Sequence, residues 1–498
     1  MVCYSSDQFY QDWRYAIEKD FTKSDGATPF PYADNGNQEW GDEIKKLTFG
    51  GNEPHDGCIS ADGKYLAIAA DQDIHVFDTQ TWATVTVLRG HVSRVSAVAF
   101  NPGDSNILVS SEEGDYGRVD FRVEPTIYVW NIEQQAKNPK KIADDDVLNG
   151  VSAAATSTAA DKFAELGMTL TKDQVEELDT TLAPAIKRVA KKNLMADVAR
   201  IMGRLCTSFQ SEVFSPSGKW MAYLPGKRPR SNGKDDWVIN IVSASDLQEK
   251  FALSGHQDAI MWTGWSPDES LFASVAWDQT VRIWDMATRT EKYKFETTNQ
   301  NWTGAFSKDG KFFASTCGSG TLQVNDLADG STKWFYKPEG PSHWRRALDW
   351  HPTGRFLAVG GDSKGELKIL DVDEQKVLQD RLLSASASDV DDDTVRRMMG
   401  TYSGTKEVKY IDGGKKLAIW TQGDGSAEVY DLEKEVKWRF ARGGTGNGPK
   451  SHEWRDEKGK VKSKGGSGFM PWEVPEGLMI ATIDFDGVRI WSIGLSEK

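Results

Sequence analysis

Cysteine is scarce. Cys3, Cys58, Cys206 and Cys317 lie far apart with no CxxC spacing, which excludes a disulfide framework and a zinc knuckle and predicts buried free thiols. No apolar run approaches the roughly 20 residues that cross a bilayer, so no membrane span is expected. The start, MVCYSSDQFYQDWRYAIEKDF, lacks the basic and apolar regions of a signal peptide and predicts a chain that stays inside the cell, in the cytoplasm. Positive charge is in deficit: 60 Lys and Arg stand against 74 Asp and Glu, a net charge of −14. A field of that sign repels phosphates, so neither nucleic acid nor an anionic lipid surface is an expected partner. Signatures of chemistry are missing too. There is no G-x-S-x-G turn and no phosphate-binding glycine loop, and the histidines at 55, 75, 91, 256, 343, 351 and 452 share no ligand spacing. No metal or cofactor is expected.

Tryptophan, by contrast, is abundant at 19 residues, and such a count points to one packing position used repeatedly. A turn leading into an apolar run recurs as SADGKYLAI from Ser60, NPGDSNILV from Asn101, SPSGKWMAY from Ser215, SPDESLFAS from Ser266, SKDGKFFAS from Ser307, HPTGRFLAV from His351, DGGKKLAIW from Asp412 and, more loosely, VPEGLMIAT from Val474. Each reads as a tight turn followed by a half-buried strand. A second alternating strand follows each one, ending in IHVFD at Asp78, IYVWN at Asn131, INIVS at Ser243, VRIWD at Asp285, LQVND at Asp326, LKILD at Asp371, AEVYD at Asp431 and VRIWS at Ser492. The spacing of about 40 to 45 residues is that of a four-stranded propeller blade.

In these features the chain resembles the WD-repeat family of β-propellers over roughly residues 42–495, with Gly90-His91 and Gly255-His256 as the dipeptides that precede an inner strand. The resemblance implies an all-β propeller of eight blades, or seven if one weak unit is irregular. It also implies that His256, Ser274, Asp278 and Trp284 form a hydrogen-bonded network tying one blade together. These residues include the three types of a hydrolase triad. Ser274 sits in the strand LFASVAWD rather than on a strained turn, so the reading is architectural. The second unit keeps His91 and Trp130 around a long turn, and the fifth has Ser319 and Asn325 where Asp and Trp would stand.

An open ring would leave an unpaired strand edge. The last unit lacks an outer strand of its own, and residues 43–49, EIKKLTFG without its final glycine, read as the strand that completes it. Residues 1–41 form an N-terminal extension whose aromatics Phe9, Tyr10, Trp13 and Tyr15 suit packing on the ring. Residues 134–205 read as a helical insertion: Thr171 and Gln174 suit a capping box, Pro184 suits the first turn of a further helix, and Ile186, Val189, Leu194, Val198, Ile201 and Leu205 recur near the helical period. That helix is basic as well, which suits either a hairpin on the rim or a docking element. KRPR at 227–230 resembles a nuclear import signal and leaves the nucleus open as a location, DVDDD at 389–393 reads as a solvated loop, and 441–468 as a mobile Gly/Lys-rich insertion.

Aligning the turns places Arg94, Trp302, Trp344 and Arg345 near the starts of successive inner strands and Trp277 just before Asp278. In the family this is one face of the disc, around the channel mouth. Tryptophan and arginine are the residue types most often found as binding hot spots. Arg345 with Arg346 favours an acidic or phosphorylated segment. Inner strands show no recurring acids, bases or ligands, so the expected function is a non-catalytic scaffold binding protein or peptide partners on this face. The alternative is an enzyme or ligand-binding propeller with a site in its channel.

Overall fold

The computed structural model describes residues 15–112, 125–138, 145–195, 198–226, 237–338, 344–385, 404–421, 425–441, 468–475 and 477–494. The turn that opens each repeat is closed by its own side chains. Ser60 Oγ donates to Asp62 at 2.6 Å and accepts from Tyr65 N at 2.9 Å. Ser266 does the same with Asp268 and Leu271 N, and Ser307 with Asp309 and Phe312 N. The fourth turn residue adopts a left-handed backbone, with φ of 69° at Gly63 and 72° at Gly310, which glycine tolerates without a Cβ clash. The polar residue that ends each unit has an equally local cause. Asp78, Asp285, Asp371 and Asp431 accept the N–H of the residue three further on, at 2.8 to 3.0 Å, and so turn the chain into the outer strand.

The strands assemble into eight separate sheets, antiparallel except for one added strand, arranged as an eight-bladed β-propeller. Blade four, Ile260–Trp265, Leu271–Ala276, Thr280–Asp285 and Thr290–Glu296, is the most regular. Eight apolar clusters fill the gaps between neighbouring blades: Phe272 and Trp284 pack in the gap between blades three and four, Phe313 between four and five, Trp350 between five and six. The cluster of Leu47, Phe49, Ile68, Met470 and Val488 joins blade eight to blade one. Eight blades are present, not seven.

Residues 15–47 are woven into the ring. Tyr15–Lys19 pairs antiparallel with Lys376–Ala385 as a fifth strand of blade six. Tyr32–Glu39 runs parallel to Val436–Ala441 on blade seven. Lys45–Leu47 then pairs antiparallel with Gly487–Ile493 to complete blade eight. A boundary at residue 41 therefore cuts through one continuous strap across three blades. Between its first two strands, Asp20 is ion-paired with Lys437 and accepts from Tyr430 Oη at 2.9 Å, while Phe21 and Phe30 pack on the Tyr430 ring.

The insertion in blade two is shorter than the helical period suggests. Helices cover Ile132–Lys137, Asp145–Glu165 and Lys172–Leu194. Thr171 and Gln174 form the capping box, with Thr171 N donating to Gln174 Oε1 at 2.9 Å. Pro184 lies inside the last helix rather than in the first turn of another. Beyond Leu194 the pattern changes meaning. Ala199–Met202 is the outer strand of blade two, pairing Val129 with Ala199, so Ile201 belongs to a sheet and Leu205 to the core beside it. Residues 227–230, 389–393 and 442–467, and Phe9, Tyr10 and Trp13, lie outside the described residues. Replacing residues 145–194 with a short Gly/Ser linker is expected to leave the thermal melt of the propeller close to that of the parent, because the flanking strands are already neighbours. Replacing 134–205 removes an outer strand, and a sharply lower melting temperature or aggregation is the expected result.

Candidate partner-binding face and central channel

His256 sits just before the inner strand of blade four and Asp278 in the turn after its second strand. His256 Nε2 is 2.7 Å from Ser274 Oγ and Nδ1 is 2.9 Å from Asp278, while Trp284 Nε1 donates to Ser274 Oγ at 3.0 Å. Burial would raise Asp278, but its hydrogen bonds to His256 and Thr280 outweigh that and hold the carboxyl well below the usual carboxylate range. Burial lowers His256 against the same hydrogen bond, so the imidazole tends to be neutral. Ser274 is fully buried. A nucleophile needs access to substrate, and this hydroxyl is instead spent on three strands. Blade two carries a related network that the sequence reading missed: Ser110 Oγ lies 2.7 Å from His91 Nε2 and accepts from Trp130 at 2.8 Å, and Glu112 accepts from Val92 N at 2.7 Å. Glutamate, one methylene longer and nearer in sequence to its serine, stands where an aspartate was sought. His256→Ala and Asp278→Ala are each expected to lower stability by about 1–3 kcal/mol, read by denaturant melts, since each strands a buried polar partner.

On the same face three tryptophans from three successive blades touch. Ring centroids are 5.5 Å apart for Trp277 and Trp302 and 4.8 Å for Trp302 and Trp344. Phe209 meets Trp302 edge-on at 5.6 Å. The Arg346 guanidinium lies 4.1 Å from the Trp302 centroid, 4.5 Å from Trp344 and 5.4 Å from Phe209. Asp362, 3.0 Å from Arg346 Nε, also binds Lys406 at 2.8 Å. Trp302 is only 6% exposed and forms the floor, whereas Trp344 is 46% exposed.

Arg345 does not belong to this surface. It is 2% exposed, donates to Gly320 O and is ion-paired with Glu366 at 2.6 Å. As the first residue of an inner strand its side chain points between blades, while that of Arg346 points to the mouth. Arg94 is exposed on blade two, 3.9 Å from Glu53, with no contact to the tryptophans among the described residues.

The channel is interrupted. Blade three has three strands; its inner edge is paired only by the bridges Arg204–Leu224 and Phe214–Met221, and the segment between them, with the turn Ser208–Gln210, crosses the lumen. Its Phe209 and Gln210 both take left-handed backbones, φ 56° and 64°, which cost non-glycine residues energy. Four hydrogen bonds hold them: Gln210 Nε2 to Val408 O at 2.7 Å, Leu348 N to Gln210 Oε1 at 3.1 Å, Trp262 Nε1 to Gln210 O at 3.2 Å and Thr303 Oγ1 to Phe209 O at 2.9 Å. Gln210 borders both of two chambers, of about 650 and 500 Å³.

Contrary to the sequence reading, ionisable groups do line these chambers: Glu212, Lys308, Asp349 and Lys409 in the larger, Asp56 and Lys406 in the smaller, and Glu407 in both. Burial pushes Asp56 up to about 7, and burial with the Asp56 charge pushes Glu407 up to about 8. Among the described residues, no group of three or more His, Cys, Asp and Glu could hold a metal ion, and no helix is long and apolar enough to cross a membrane. Because Glu407 is raised, the fold favours its protonated form, and that preference is lost as pH climbs from the ordinary carboxylate range through about 8. Glu407→Gln is therefore expected to melt above the parent beyond about pH 8 and to converge with it near about pH 5, as measured by thermal unfolding across pH.

Comparison with known proteins agrees with this architecture. The WD domain, G-beta repeat family matches residues 82–119 and 247–285, the second of which contains the His256 network. Periodic tryptophan protein 2 homolog of Dictyostelium discoideum is 21% identical over 70% of this chain and 36% of its own length. Subunit 5 of transcription initiation factor TFIID from Caenorhabditis elegans is 28% identical over 25% of this chain and 21% of its own. Human angio-associated migratory cell protein is 26% identical over 28% and 31%. The aligned part spans about a third or less of these relatives. The chain is thus an eight-bladed β-propeller that carries repeats of the WD domain, G-beta repeat type at residues 82–119 and 247–285.

Proposed function

We propose that the chain is a non-catalytic scaffold that anchors protein or peptide partners on the Trp277–Trp302–Trp344 cluster. The observation that supports it is the exposure of Trp344 at the edge of a cluster held by Arg346, in which Trp277 is half-buried and Trp302 buried. An indole fixed by a stacked guanidinium offers a large apolar area with little conformational freedom left to lose, which is what a hot spot requires. The expected preference for acidic or phosphorylated segments weakens here, because Arg345 is buried and Arg346 is paired with Asp362. A relative named as a subunit of a transcription initiation factor supports assembly work, and with it the nucleus as a location. The alternative of a ligand held in the channel is favoured by the chambers beside Gln210.

Trp277→Ala combined with Trp344→Ala tests the scaffold reading without touching the blade cores. Quantitative affinity purification should recover far less co-purifying protein with the double variant, at an unchanged melting temperature. Equal recovery from a folded variant would move the binding site elsewhere. Arg345→Glu does not suit this test, since it would set a second buried carboxylate against Glu366.

A further inference from the structure

The smaller chamber, about 500 Å³, opens beside the aromatic cluster, with Phe209 common to both. Its walls are mixed: Val98, Phe100, Phe469, Met470 and Ile483 contribute apolar side chains, and Thr207, Gln210 and Ser211 polar ones. Two carboxyls join them. Asp56 Oδ2 accepts from Val98 N at 3.0 Å and its carboxyl also from the Gly57 N–H, while Glu407 has no hydrogen-bond or ion-pair partner among the described residues. The one ammonium group in the lining, that of Lys406, is turned to Asp362 at 2.8 Å. A further polar group borders the chamber: Trp420 is 5% exposed, and its indole N–H has no acceptor among the described residues. Carboxyls in a partly apolar cavity repel each other when both are ionised, and a cation between them removes that repulsion while replacing lost hydration.

We infer that this chamber binds a protonated amine carried on an apolar stem, its ammonium group between Asp56 and Glu407. The stem lies against Met470 and Phe469, and the Trp420 N–H is free for an acceptor atom on the ligand. The amine is either a free small molecule or the lysine side chain of a partner seated on the tryptophans. Only the second source rests on the scaffold reading.

The probes are n-butylammonium, neutral n-butanol, and a pair of acetylated, amidated Gly-Ser peptides with a central lysine or norleucine. Binding is read by calorimetry and by saturation-transfer resonance. The expected result is saturable binding of n-butylammonium but not of n-butanol, weakened about tenfold or more by Asp56→Asn with Glu407→Gln. Both substitutions remove a charge that burial disfavours, so the double variant is expected to fold, as its melt will show. Equal binding of amine and alcohol, or amine binding that survives the double variant, would overturn the inference. So would a folded parent that binds none of the probes.

Trp344→Ala separates the sources. If the ligand is a free amine, n-butylammonium binds this variant as it binds the parent. If it is a partner's lysine, the lysine peptide binds the parent better than the norleucine peptide, and loses that advantage both in Trp344→Ala and in the carboxyl double variant. Loss of partner recovery in Trp277→Ala with Trp344→Ala, alongside no amine binding, would leave the scaffold reading standing and remove this one.

Discussion

No blade can bury both of its faces alone. A four-stranded sheet with apolar side chains on either side has to find a neighbour for each, and eight such sheets satisfy one another only by closing a ring. The eight clusters between blades are therefore a single cooperative core in eight parts. Trp130, Trp350 and Trp491, among its largest buried side chains, recur in the gaps as the spacing of the tryptophans suggested. The His256 network adds polar order to the same task, locking turn to strand where water would otherwise reach the edge.

What was legible in the sequence follows from what is local. The Ser-x-Asp-Gly turn and the closing aspartate make their bonds within a few residues, so the repeated pattern carries their structure directly. Blade count, the network residues and the strand at Lys45–Leu47 were readable on those terms. The burial of Arg345 was not, because adjacent residues on a strand face opposite ways and only a known register decides which of two arginines looks outward. The outer strand Ala199–Met202 was hidden for a related reason: its apolar residues continue the helical spacing of the segment before it, and only pairing with Thr126–Asn131 identifies it. The carboxyls of the channel escaped notice because Asp56 and Glu407 share a position, the third of an inner strand, that holds Ala97, Trp262, Thr303 and Ala347 in blades two, four, five and six, while Glu212 lies outside any strand. They converge only across the ring.

The aromatic surface and the channel chambers lie where the repeats depart from one another. Blades four to six supply the tryptophans, and blade three gives up its inner strand so that Phe209 can touch them and Gln210 can reach blades six and seven. The aromatic surface and the channel are thus two sides of one irregular segment. Two consecutive left-handed residues are tolerated there because four hydrogen bonds from four different blades hold them.

The strap formed by residues 15–47 also sets an order of events during synthesis. Its strands are made before all eight blades, and their partners, Lys376–Ala385, Val436–Ala441 and Gly487–Ile493, only with the last three of them. At roughly 5 to 20 residues per second, the interval is on the order of tens of seconds. Throughout it Phe21 and Phe30 have no core to enter and three strand edges lie open. A nascent chain built this way carries its own closing clasp exposed through that interval, and has to shield it, or to tolerate loose contacts, until blade eight has been made.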